Sequence, residues 1–148
     1  MKSYVMKIID SVVTMLSIIV FFFAVVVIIS VMRTPKGEPP MIFGRTMLQV
    51  VSTSMEPELR VGTVVVVKKA DTSDVKEGDI VSFYTRDPDI YNSVVTHRVV
   101  EVRERSGGNI LVTKGDANPS EDEYTVKNNQ MIGKVTGVSN VIGRAGRC

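Results

Sequence analysis

The chain has 148 residues, of which 44% are hydrophobic and 23% charged, and a formal net charge of +2. That length holds one domain with an appendage, and a near-neutral balance without a basic run gives no support for nucleic-acid binding. One cysteine (Cys148) and one histidine (His97) leave no intrachain disulfide and no His/Cys metal cluster. Neither GxGxxG nor GxxxxGK[ST] occurs, so the usual phosphate cradles are missing as well.

Hydrophobicity is unevenly spread along the chain. Residues 1–10 form a short tail, and from Ser11 to Met32 ("SVVTMLSIIVFFFAVVVIISVM") there is no charged side chain. A run of about 22 residues, coiled as a helix, crosses roughly 30 Å of hydrocarbon. It is longer than the apolar core of a cleaved signal peptide (about 7–15 residues), and "SVMRTPKG" has no small-x-small ending. Val, Ile and Phe on every side exclude an amphipathic core helix. The expectation over 11–32 is an uncleaved transmembrane anchor. Flanking charge is nearly balanced, with Lys2 and Lys7 against Asp10 before the run, and Arg33, Lys36 and Arg45 against Glu38 after it. A tail of about ten residues rarely carries a function of its own, so the expectation is a cytoplasmic amino terminus with the residues after the span outside the membrane.

"RTPKGEPP" (33–40) reads as a linker. Beyond it the apolar runs become short and β-branched: 47–51, 62–69, 78–85, 93–104, 108–114 and 131–138. Turn formers separate them, in "DTSDVKEGD", "RDPD", "RSGGN" and "GDANPSEDE". Residues 41–148 are therefore expected to form a compact, largely antiparallel β domain. The exception is "SMEPEL", where Thr53 and Glu56 have the spacing of a capping box and Pro57 suits a first turn. A short helical turn is predicted at or beside Ser54.

A serine at the start of such a turn lies beside main-chain N–H groups that have no partner within the turn, and these can stabilise an oxyanion. Ser52, two residues earlier on an extended segment, would point to the same side. Ser54 is then the candidate nucleophile and Ser52, with the Ser54 N–H, the candidate oxyanion donor. Thr53 would point away. On spacing alone, a Ser/Thr cluster before a turn more often serves as a cap. A nucleophilic serine also needs a base. His97, in "VVTHRVV", can take a hydroxyl proton and return it to a leaving amine, although a lone histidine on a strand is more often structural. A carboxylate would orient it, and "KGDANPSEDE" offers Asp116, Glu121, Asp122 and Glu123 in what is otherwise an acidic surface turn.

In order along the chain, "STSMEP", "GTVVVV", "EGDIVSF", "THRVV" and "TKGDAN" behind an amino-terminal anchor resemble signal peptidase I. The closer likeness is to its archaeal and endoplasmic-reticulum type, which includes the SipW-like enzymes. The resemblance covers nearly everything from Val50 to Gly137. By position it makes Ser54 the nucleophile, and Ser52 an oxyanion-assisting hydroxyl. His97 becomes the base, where the common bacterial branch has lysine. Asp122 best fits the acid that orients His97, with Asp116 of "GDAN" as the alternative or a structural support. Two features depart from the pattern. Thr53 stands where many relatives have glycine, and the chain stops at "NVIGRAGRC", where many relatives continue toward a second hydrophobic segment.

The resemblance implies a membrane-bound serine endopeptidase with its β domain on the extracytoplasmic side of the cell membrane. It would cut signal peptides from exported precursors after small-x-small sites, without metal or organic cofactor. The implied partners are signal-peptide-bearing precursors, the lipid bilayer and the protein-export machinery. Two other functions compete: a self-cleaving Ser–Lys protease using Lys68, Lys69 or Lys114, which the anchor disfavours, and a catalytically silent membrane-anchored β module.

Overall fold

The computed structural model of the chain describes residues 2–33 and 39–139. Residues 34–38 of the expected linker and the segment 140–148, with Cys148, lie outside the described residues. Two compact units are present, Met1–Phe43 and Gly44–Cys148.

The first unit contains helix α1, Lys2–Arg33. It begins nine residues before the uncharged run, so the expected tail is largely helical. Tyr4–Ile9 is apolar apart from Lys7 and has no glycine or proline to stop a helix. The most apolar 18-residue stretch has a mean hydropathy of 3.2, and none of it is buried. The 32 residues extend about 48 Å at 1.5 Å per residue, more than the roughly 30 Å of a bilayer core. Within the apolar stretch, the Thr14 and Ser17 hydroxyls donate to the carbonyls of Asp10 and Val13 at 2.8 and 2.9 Å. They therefore need no water, as a lipid-facing helix requires.

The second unit is a six-stranded sheet: β1 (Arg45–Gln49), β2 (Val64–Lys68), β3 (Ile80–Tyr84), β4 (Val94–Arg103), β5 (Ile110–Lys114) and β6 (Met131–Ser139). The order is β1-β2-β6-β3-β4-β5, and every neighbouring pair is antiparallel. Each strand overlaps one of the six expected runs. β1 starts two residues earlier than expected. Val50 has left the ladder, and its N–H and C=O bond the Thr63 carbonyl and the Gly62 N–H, each at 2.8 Å.

Alternation along β3, β4 and β5 gathers Val81, Phe83, Val99 and Leu111 with Val75 and Val126 into a buried cluster. Burying each such side chain contributes on the order of 2 kcal/mol. His97 pairs with Val81 across the β3–β4 ladder, and Thr113 pairs with Val99 across β4–β5. Both side chains are thus on the face that carries the core. Arg98, the next residue after His97, is on the other face. That split organises the site.

The helical turn expected at or beside Ser54 is reduced to a β-turn followed by one i→i+4 turn, with no continuing helix. The Glu56 N–H donates to the Thr53 carbonyl at 3.0 Å and the Leu59 N–H to the Met55 carbonyl at 2.8 Å. A helix starting here would need the N–H of residue 57 on the Thr53 carbonyl. Residue 57 is proline, which has none. Met55 and Leu59 are each 1% exposed, so their burial anchors the turn without a helical ladder.

Candidate active site

Ser54 sits at the start of these turns, half-buried, between fully buried Met55 and the exposed Thr53. Its hydroxyl is 3.1 Å from His97 Nε2 and 3.1 Å from Ser52 Oγ. His97 Nδ1 is 2.6 Å from Asp122 Oδ2. An ionised carboxylate only accepts, so the ring proton belongs on Nδ1, where it is donated to Asp122. Nε2 is then free to accept the Ser54 hydroxyl proton. With that proton committed, the oxygen of Ser54 can accept from Ser52. The chain Asp122–His97–Ser54–Ser52 is continuous and directional.

Burial holds this chain in place. The His97 side chain is 10% exposed and that of Asp122 20%. The imidazole packs edge-on against Phe83, with ring centroids 6.4 Å apart and planes at 70°. A partly dry site strengthens each of these contacts relative to water. Among the described residues no lysine amine bonds Ser54, and no three His, Cys, Asp or Glu side chains converge as a metal site would need.

Asp116, offered by the sequence as a second carboxylate for His97, has a different partner. Its Oδ1 and Oδ2 accept from Arg98 Nε and Nη2 at 2.8 and 2.7 Å, a bidentate pair. Arg98 also donates from Nη1 to the Gly78 carbonyl at 2.9 Å. The hydrogen bonds to Asp116, opposed by burial, hold the Arg98 guanidinium above its ordinary value. Neighbouring residues on a strand point to opposite faces, so Arg98 clasps Asp116 on one side of β4 while His97 meets Asp122 on the other.

The clasp steadies the turn after β5. From that turn the Ala117 N–H donates to the Ser54 carbonyl at 2.9 Å, and the Asn118 N–H to the Gly115 carbonyl at 2.9 Å. A Cβ on Gly115 would lie 2.6 Å from the Ser54 carbonyl oxygen. Only glycine permits that approach. Sequence reasoning missed Arg98 and the contacts of Gly115 and Ala117 with the Ser54 carbonyl, although strict alternation around His97 places Arg98 on the opposite face.

Ser54 and His97 open onto a cleft of about 690 Å³. Residues 48–52 form one wall and residues 93–97 the other. Pairing of β4 with β5 begins only at Arg98, so among the described residues no strand pairs with Val94–His97 on the cleft side. A smaller hollow of about 130 Å³, behind His97 and Asp122, is lined by Phe83, Thr85, Val95 and Tyr124 among others.

A scan against protein-family models finds no match. Individual proteins do match. The chain is 33% identical over 134 residues to signal peptidase I W of Bacillus subtilis (strain 168), covering 89% of this chain and 67% of that protein. It is 30% identical over 102 residues to the signal peptidase complex catalytic subunit SEC11C of Homo sapiens and of Mus musculus, covering 64% of this chain and 52% of theirs. It thus spans about two thirds of the bacterial relative and about half of the mammalian ones. With a helix apolar and long enough to cross a membrane ahead of its β domain, the chain belongs to the signal peptidase I family, in its SipW-like, endoplasmic-reticulum-type branch.

Proposed function

We propose that this chain is a membrane-anchored endopeptidase that removes signal peptides by serine acyl transfer with a histidine base. The observation that carries the proposal is the hydrogen-bonded run from Asp122 through His97 to Ser54, at 2.6 and 3.1 Å. Ser54 Oγ attacks the scissile carbonyl as His97 Nε2 takes its proton, while Asp122 stabilises the imidazolium that forms. The Ser54 N–H and the Ser52 hydroxyl donate to the oxyanion. The proton on His97 passes to the leaving amine, and a water activated by the same ring hydrolyses the acyl-enzyme. Asp116 acts at a distance, through the turn that fixes the Ser54 carbonyl.

A precursor binds extended in the cleft, where Val94–His97 of β4 present a strand edge that no described strand shares. Main-chain pairing supplies affinity, and small side chains at alternate positions satisfy shallow pockets. The β domain then works on the extracytoplasmic side of the cell membrane. Tethering by α1 confines the search to the surface in which signal peptides reside. Lipid, and the export machinery that delivers precursors, complete the setting.

The test is cleavage of a precursor carrying a small-x-small site by membranes containing wild type, Ser54→Ala or His97→Ala. Product from wild type alone is expected. Equal cleavage by His97→Ala would point to a lysine base. A function that survives both substitutions would belong to a silent binding module.

A further inference from the structure

Thr113 is wholly buried, at 0% exposure, and faces Val99 across the β4–β5 ladder. Its hydroxyl donates to Asp122 Oδ2 at 2.7 Å. That is the oxygen that accepts from His97 Nδ1 at 2.6 Å. The main chain repeats the link, with the Asp122 N–H donating to the Thr113 carbonyl at 2.8 Å. Asp122 is therefore held at both its backbone and its carboxylate by one residue of β5. The segment that carries Asp122 has no regular secondary structure, so nothing periodic sets the direction of its side chain. A β-branched threonine on a strand has a restricted χ1 and can set it.

Packing against Val99 does not by itself require this hydroxyl, since valine has nearly the same volume. A fully buried hydroxyl needs an acceptor, and the one this hydroxyl meets is the Asp122 carboxylate, which makes the bond charge-assisted. We propose that Thr113 is a positioning residue of the peptidase site. Its hydroxyl fixes the Asp122 carboxylate in the orientation that receives the His97 Nδ1–H, and so acts on Ser54 only through those two side chains. This rests on the Ser–His mechanism proposed above.

The test uses the full chain in lipid vesicles and a precursor peptide with a small-x-small site, comparing Thr113→Val, Thr113→Ser and His97→Ala with wild type. Removing a charge-assisted hydrogen bond in Thr113→Val is expected to lower kcat about 10- to 100-fold. KM should stay within about twofold, because Thr113 does not reach the cleft. Thr113→Ser, which restores the hydroxyl, should recover kcat to within about threefold. In proton NMR, the downfield His97 Nδ1–H resonance should persist in the serine variant and shift or broaden in the valine variant. Wild-type kcat with an unmoved resonance in Thr113→Val would overturn the assignment. So would equal losses in the serine and valine variants, which would mark a packing role. If the valine variant does not fold, Thr113→Ala, which also lacks the hydroxyl, takes its place in the same comparison. Full activity in His97→Ala would refute the Ser–His mechanism and this inference together. An inactive His97→Ala beside a fully active Thr113→Val would refute the inference alone.

Discussion

Asp122→Asn changes one atom of the site and tests how that site sets its proton. In the wild type, Oδ2 accepts from His97 Nδ1 at 2.6 Å and from Thr113 at 2.7 Å. An asparagine keeps the shape but loses the charge, and it can present its NH2 to the ring. The ring proton then moves to Nε2, the nitrogen that in the proposed mechanism must be empty to accept from Ser54. The imidazolium formed during attack also loses its counter-charge. Charge centres about 4 Å apart at an effective dielectric near 20, suited to side chains 10% and 20% exposed, interact by about 4 kcal/mol. That corresponds to roughly 10³-fold in kcat. The assay is initial-rate cleavage of a small-x-small precursor peptide by the full chain in vesicles, across substrate concentrations. KM should change little, since the loss arises in the transition state. A kcat within about tenfold of wild type would refute the role given to Asp122, as would a loss confined to KM.

Other perturbations reach the site by different routes. Ser52→Ala removes the hydroxyl 3.1 Å from Ser54 Oγ and should lower kcat about 10²-fold, the usual cost of one oxyanion donor; unchanged kcat would leave the oxyanion to the main chain alone. Gly115→Ala brings a Cβ to 2.6 Å from the Ser54 carbonyl oxygen. It should reduce acylation of Ser54 by at least about tenfold, read as the rate of labelling by an acylating inhibitor. Asp79 binds the Lys134 ammonium at 2.7 Å and accepts from the Lys76 N–H at 2.9 Å. Burial raises its carboxyl, but these partners outweigh that and hold it below the ordinary 3.8. A depressed carboxyl contributes stability above its unfolded value, and that contribution is lost as pH falls through the folded one. Asp79→Asn should therefore lower the Tm at pH 7, and the gap to wild type should close in acid.

Five of the six strands were legible because each is a β-branched run between turn formers, whereas β1 only overlaps its expected run and leaves Val50 and Val51 outside the ladder. Their order was not. β6 inserts between β2 and β3, a long-range pairing that no local pattern encodes. The anchor was legible as an uncharged run, but its start was not, because Lys7 and Asp10 suggested a boundary where the helix continues. "SMEPEL" misled through its capping-box spacing, since the proline that suits a first turn also removes a helical donor. At the proposed site, residue chemistry and resemblance pointed to His97, Ser54 and Ser52, whose side chains run from ring to hydroxyl to hydroxyl with 3.1 Å at each step. Between the two carboxylates the resemblance favoured Asp122, but the partner of each was not legible in local sequence. Arg98 engages Asp116, and Thr113 draws Asp122 to the other face of β4.

The central claim is that Ser54 attacks with His97 as its base, and the acyl-enzyme reports this most directly. Wild type, His97→Ala and Ser54→Ala would be mixed with an acylating inhibitor and analysed by intact mass and peptide mapping. A single adduct on Ser54 in wild type, strongly slowed in His97→Ala and absent in Ser54→Ala, is the predicted result. An adduct on another residue, or labelling of Ser54 at the wild-type rate without His97, would contradict it.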